Sequence, residues 1–233
     1  MSELVLTQLK KNALWITLNR PKKFNAFTLE MYAHLKEVLI SATDNDKVSF
    51  VVLTLVATYE SLGNFADALA VFPKPVIALV NGPAIGLGVT SLGLMDIVIC
   101  ADNATFFCPF ADFGMAPEAG SSRTLVKTMG HQKAAAMLIF AETFTAQEAY
   151  HAGLVTKILP ASSFKEETEK LVEKYAKLSP QTLLFGKRLM RPENEVDELL
   201  DVIRKEEVVL HQCFNLEDTL IRLTSKFSGG SKL

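Results

Sequence analysis

Five consecutive apolar residues, Val76–Val80, stand between the prolines Pro73 and Pro75 and the turn Asn81-Gly82-Pro83. A run this short, β-branched and without a polar face is a buried strand, and a buried strand needs other elements over it. A second apolar run, VSFVVLT at 48–54, reads the same way, and 97–100 and 105–107 read as shorter strands. Residues 5–9 and 14–18 alternate apolar and polar side chains about a Lys-Lys-Asn turn, the pattern of a β-hairpin that Asn19-Arg20-Pro21 ends. Thr28 is placed to cap a helix through Val38, with Leu29, Tyr32, Leu35, Val38 and Leu39 on one apolar face. Residues 86–94 are glycine-rich and small, as in a helix packed tightly against a sheet. Helical patterns follow over 120–128, 131–140, 145–151, 163–177, 180–190 and 195–225. Strands that alternate with helices predict an α/β layered fold, and the last third is almost all helix.

One junction breaks this order. The strand VSFVVLT runs directly into LVATYESLGNFADALAVF, where Leu55, Tyr59, Leu62, Phe65, Leu69 and Phe72 recur at helical spacing. No Gly, Pro, Asn or Asp separates the two patterns, and a strand needs turn chemistry to become a helix. Local and global signals conflict there, and a segment is missing from the pattern between Thr54 and Leu55.

Charge and cysteine usage exclude several function classes. Lys and Arg number 24 against 26 Asp and Glu, a net charge of −2, so there is no basic excess for nucleic acid and no polybasic run for an anionic membrane. The apolar stretches are far too short to span a bilayer. Cys100, Cys108 and Cys213 lack metal-ligand spacing and read as reduced packing residues, with no disulfide frame and no metal site. His34, His131, His151 and His211 are scattered and read as structural or surface residues. MSELVLTQLKKN has no apolar secretory core, and the C-terminal Ser231-Lys232-Leu233 is a peroxisomal address read by an import receptor. The expected location is the peroxisomal matrix.

The stretches ITLNRPKKFNAF, VVLT, FPKPVIALVNGPAIGLG, MDIVICADNATFFCPFADFGMAPEAGSS and TAQEAYHAGLVTKILP, followed by the helical tail, resemble the crotonase (enoyl-CoA hydratase/isomerase) superfamily in register. The likeness covers nearly the whole chain and is greatest to the peroxisomal Δ3,Δ2-enoyl-CoA isomerases. It implies a crotonase-like ββα spiral fold: an α/β core over 1–178 and a helical C-terminal trimerisation region over 179–233. It implies a fatty acyl-CoA thioester substrate, no cofactor beyond the coenzyme A of that substrate, and a homotrimer or hexamer.

The resemblance also assigns residues. A thioester carbonyl would sit on backbone N–H groups, one of them the amide of Leu87, with Gly86 allowing close approach; free amides at a helix start favour a developing oxyanion on physical grounds as well. Lys22 and Lys23 would lie where the family wraps the CoA nucleotide, with the backbone around Phe24 and Ala26 near adenine, while Phe110 would face the substrate. Lys187 and Arg188 are weaker candidates for a CoA phosphate, read first as helix-surface charge. The second oxyanion donor belongs to a glycine-rich loop after VVLT, and this sequence has none there. Either the loop is absent, leaving half an oxyanion hole, or the protein carries a segment here that this sequence does not include.

Hydratases of the family position water with two glutamates, but the matching positions are Thr90 and Phe110. Glu118, in GMAPEAGSS, matches the single acid/base of the isomerases. From the residues alone it reads first as a helix N-terminal charge and only second as a base kept poorly hydrated by Phe106, Phe107, Phe110, Phe113 and Met115; the resemblance reverses that order. The resulting expectation is isomerisation of 3-enoyl-CoA to 2-trans-enoyl-CoA. A catalytically silent acyl-CoA-binding protein and a hydratase or thioester hydrolase remain as alternatives.

Overall fold

Val76–Val80 is buried at all five residues and lies within a six-stranded sheet. The structure is a computed structural model and describes residues 4–20, 28–55 and 63–228. Numbered in chain order, the strands are β1 (Val5–Lys10), β2 (Ala13–Leu18), β3 (Phe50–Leu55), β4 (Val76–Val80), β5 (Ala84–Ile85), β6 (Ile97–Ala101), β7 (Thr105–Phe107), β8 (Phe144–Thr145) and β9 (Lys157–Leu159). The sheet order is β1-β2-β3-β4-β6-β9, and a smaller sheet has the order β5-β7-β8. The expected hairpin forms in register, Val5 opposite Leu18 and Lys10 opposite Ala13, and it is the antiparallel edge of an otherwise parallel sheet.

Period-two alternation explains how the central strands serve two cores at once. Val51, Leu53, Val76, Ala78, Val80, Val98 and Cys100 turn to one face, while Phe50, Val52, Ile77, Leu79, Ile99 and Ala101 turn to the other. The first face is covered by α1 (Leu29–Thr43), α2 (Gly63–Val71), the short α3 (Leu87–Thr90) and later helices. The second is covered by Phe164 and Val172 of α8 (Phe164–Tyr175). Thr28 caps α1 as the sequence predicts, its hydroxyl accepting the Met31 N–H at 3.3 Å, but the helix runs to Thr43, beyond Val38.

The remaining helices are α4 (Phe110–Phe113), α5 (Ser121–Met129), α6 (His131–Leu138), α7 (Ala146–His151), α9 (Pro180–Met190), α10 (Glu193–Phe214) and α11 (Glu217–Ser228). Two expectations are corrected. The pattern at 195–225 is two helices, broken after Asn215, whose side-chain amide donates to the His211 carbonyl at 3.0 Å. Apolar spacing continues across the break, which is why periodicity alone reads through it. At the anomalous junction, Leu55 still belongs to β3, paired with Val80, and α2 is described from Gly63. Leu55 is a strand residue, so its helical spacing with Phe65 does not place it in α2, and residues 56–62, with Tyr59 and Leu62, lie outside the described residues.

The helical C-terminal part is tied to the sheet by a buried charge. Lys187 of α9, 6% exposed, meets the Asp96 carboxylate at 2.7 Å and donates to the Lys74 carbonyl at 2.9 Å. Asp96 also accepts the Val76 N–H at 2.7 Å, so the pair closes the entrance to β4. The Lys187 ammonium is therefore engaged inside the protein, which corrects its candidacy for a CoA phosphate and its reading as surface charge. Burial lowers the Lys187 pKa and the Asp96 charge opposes that shift. Removing one member of such a pair leaves the other poorly solvated. Lys187→Ala is expected to destabilise the fold by about 3 kcal/mol, read as a lower midpoint in chemical denaturation; an unchanged midpoint would contradict the clamp.

Candidate active site

Glu118 stands just ahead of α5, not inside it. Its carbonyl accepts the Ser121 N–H at 3.0 Å. Ala119 and Gly120 then take left-handed backbone angles, φ 57° and 72°. A left-handed non-glycine residue costs roughly 1–2 kcal/mol, so this bend is held by its surroundings. At Gly120 a Cβ would come within 2.7 Å of Leu199 Cδ1 and 3.3 Å of Ile203 Cγ1, both on α10, which restricts the position to glycine. The consecutive bends turn the chain sharply between Glu118 and the helix, and α10 packs on the turn.

A second carboxylate sits beside it, one the sequence reading did not single out. Glu206 of α10 is 8% exposed and reaches the start of α5. The Gly120 N–H donates to its Oε2 at 2.6 Å and the Ser122 N–H donates to its Oε1 at 2.8 Å. The role of helix N-terminal charge, one of the two readings of Glu118, thus belongs to Glu206. Its position in the sequence, 86 residues from Gly120, carries no local signal of this contact.

The cavity beside Glu118 has a volume of about 10 Å³ and is lined by Ala66 of α2, Ala119, and Ile203, Glu206, Glu207 and Leu210 of α10. That is room for a single water. The aromatic stretch does not wall it: Phe106 and Phe110 are 0% and 1% exposed and pack in the core. Burial of the Glu118 carboxyl, with the Glu206 charge adding to it, pushes its pKa up to about 8. The same crowding raises the Cys108 thiol, first by burial and then by the Glu118 charge. Glu206 is also raised by burial, with hydrogen bonds from Ser122 and Gly120 opposing that rise. Of the two carboxylates, the one holding two backbone amides is the better stabilised as an anion.

Leu87 opens α3 after Gly86, whose φ of 56° and ψ of −120° suit glycine alone. The Gly86 N–H is committed to the Phe107 carbonyl at 2.8 Å, while the Leu87 N–H has no backbone partner among the described residues. This is the free amide expected at a helix start. Leu87, Ala119, Phe110 and Ala66 belong to one buried cluster, and the 3-10 turn Ser91–Leu94 that continues α3 packs on α5. Lys22, Lys23, Phe24 and Ala26, like Ser231-Lys232-Leu233, lie outside the described residues. Among the described residues no three His, Cys, Asp or Glu side chains gather as a metal set, and no helix is long and apolar enough to cross a membrane.

Residues 57–224 match the enoyl-CoA hydratase/isomerase family, and residues 13–60 match a second model of the same description. The chain belongs to the enoyl-CoA hydratase/isomerase family. Within this crotonase family it is similar to the Caenorhabditis elegans "uncharacterized protein B0272.4", 50% identical over 253 positions, covering 100% of this chain and 99% of that one. It is 39% identical to mouse "enoyl-CoA delta isomerase 3, peroxisomal", over 76% of this chain and 63% of the relative, so it spans less than two thirds of that protein. A solved enoyl-CoA hydratase/isomerase of Pseudoalteromonas atlantica superposes with a TM-score of 0.90 at 28% identity, covering 98% of both chains. The α/β core with its helical C-terminal part is therefore the crotonase fold, close to the enoyl-CoA isomerases. The 253 aligned positions of the nematode relative exceed the 233 residues of this chain by 20, so that relative has at least 20 positions without a counterpart here.

A carboxyl whose pKa is raised on folding holds its proton more tightly in the native state, so its contribution favours the fold at low pH. That contribution is lost as pH rises from about 4.5 to about 8. Glu118→Gln keeps the shape and cannot ionise. Its stability relative to the native sequence is expected to improve by roughly 2–5 kcal/mol between pH 4.5 and pH 9, measured by denaturant unfolding at each pH. A difference that does not vary with pH would mean that Glu118 ionises normally.

Proposed function

We propose that this chain shifts a C3=C4 double bond of a 3-enoyl-CoA to C2=C3, with Glu118 as the proton shuttle. The carboxylate removes a proton from C2, next to the thioester carbonyl, and the charge spreads as a dienolate onto the carbonyl oxygen. The Leu87 amide donates to that oxygen. The Glu118 carboxylic acid then returns the proton at C4, so the enzyme ends unchanged. The observation that carries this reading is the half-buried Glu118 carboxyl, set ahead of α5 beside a small cavity it shares with Glu206, with its pKa lifted to about 8 by burial and by the Glu206 charge. Thr90 and Phe110, fully buried and without a carboxylate, speak against a hydratase pair.

In this reading Lys23, Phe24 and Ala26 hold the CoA nucleotide, and no cofactor is needed beyond the coenzyme A of the substrate. The Ser231-Lys232-Leu233 address supports import into the peroxisomal matrix, as does the peroxisomal description of the mouse relative. The region 179–233 serves assembly into trimers or hexamers, supported by Val208, Val209, Phe214, Leu216 and Leu220, all left exposed on α10, its end and α11.

A specific observation favours a second reading, a silent acyl-CoA-binding protein. The missing positions relative to the nematode protein, and the change of family model at residues 57–60, fit the absent glycine-rich loop and its oxyanion donor. The water-sized space beside Glu118 fits it too. Incubation with 3-hexenoyl-CoA separates the two: the isomerase yields 2-trans-hexenoyl-CoA, the silent protein returns the substrate. Glu118→Gln is expected to lower turnover at least 1,000-fold with CoA-ester binding retained; near-normal turnover would end the assignment. An intact mass of 25.6 kDa for the active protein would show that no further segment is required.

A further inference from the structure

Three charged side chains are buried outright among the described residues: Lys74, Lys187 and Glu206. Lys74 donates to the Ala42 and Asn45 carbonyls, and Lys187 is paired with Asp96. Glu206 has no cation within ion-pair reach among the described residues. It lies instead against another carboxylate, lining the same cavity as Glu118. Capping a helix does not require this arrangement, because a serine, threonine or asparagine at the N-cap satisfies the same amides without a buried charge. Here the N-cap is Gly120, which has no side chain to offer, and the acceptors come from α10.

The arrangement has a chemical consequence for Glu118. A carboxylate that accepts the first amides of a helix is stabilised by them and by the helix dipole, and becomes a weaker base. Glu118 is two residues from Gly120, close enough in sequence to compete for those donors. We propose that Glu206 is a positioning residue for Glu118: it occupies the amino end of α5 with its own carboxylate, so that Glu118 is left without those donors and is held as a base. This rests on the reading of Glu118 as the proton shuttle.

The other groups around the pair do not offset this effect. From α10, Glu207 also lines the cavity and adds no positive charge. From the segment before α4, Cys108 is buried and its thiol stays protonated. From α2, Ala66 is apolar, and Asp67 one residue on is acted on by Arg204 and Lys36. Arg123, the first cation after Glu118 in the chain, is engaged at the surface with Glu198 at 3.0 Å. Burial and the Glu206 charge act in the same direction on Glu118.

The test follows the carboxyl carbons of Glu118 and Glu206 by 13C NMR against pH in the full chain, with Glu118→Gln identifying the Glu118 signal. In the native sequence Glu206 is expected to ionise first and Glu118 second. In Glu206→Gln the Glu118 midpoint is expected to fall by at least one pH unit, and the rising limb of kcat/KM with 3-hexenoyl-CoA to move down by the same amount. A purely structural Glu206 would lower the melting temperature and leave the Glu118 midpoint in place, which overturns the proposal. Should Glu206→Gln fail to fold, the native titration decides, and Glu118 ionising before Glu206 overturns it. If the native protein turns over no 3-enoyl-CoA, the isomerase reading fails while the carboxyl titration still decides the role of Glu206.

Discussion

The grip of the Glu206 carboxylate on the Gly120 and Ser122 amides joins what would otherwise be separate parts of this molecule. It anchors α10 over the turn that carries Glu118, and it requires a residue without a Cβ at position 120. It also fills the electropositive end of α5. The left-handed Ala119 lies in the same turn and shares its cavity with Ile203 and Leu210 of α10. Glu118, the bend after it and α10 thus form one unit.

Much of the layer structure was legible because it follows from simple periodicity. The run Val76–Val80 has no polar face, and the structure buries all of it inside a parallel sheet. The alternation in residues 5–9 and 14–18, with its turn, leaves little choice but a hairpin. What stayed illegible was long-range or had no pattern. The two-residue strands Ala84–Ile85 and Phe144–Thr145 are too short to have a period. The break at Asn215 keeps the apolar spacing on both sides. Lys187 carries no local mark of its burial, since its partner Asp96 is 91 residues away.

The site followed the same division. Glu118 was visible through its apolar neighbours and its place in a family pattern, and Leu87 through the glycines around it. The aromatic pocket was misjudged because those rings had a stronger claim elsewhere: Phe106 and Phe110 complete the core. The cavity beside Glu118 is lined instead by Ala66 of α2 and by Ile203, Glu206, Glu207 and Leu210 of α10, which no local reading connects to position 118. The awkward join after Thr54 was legible as well, since a strand pattern and a helical spacing meet there without turn chemistry; the nematode relative has at least 20 positions without a counterpart in this chain.

The Glu206 contact also bears on the order of events during synthesis. Of the main sheet, β1–β4 and β6 are encoded by Ala101 and β9 by Leu159, whereas the cavity beside Glu118 is not enclosed until α10 is made and docks. Long-range contacts of this span form late, because a long loop must close before they stabilise anything. A nascent chain can therefore hold most of the sheet while the pocket around Glu118 is still open to water. The pocket beside Glu118 then closes only when α10 docks on it.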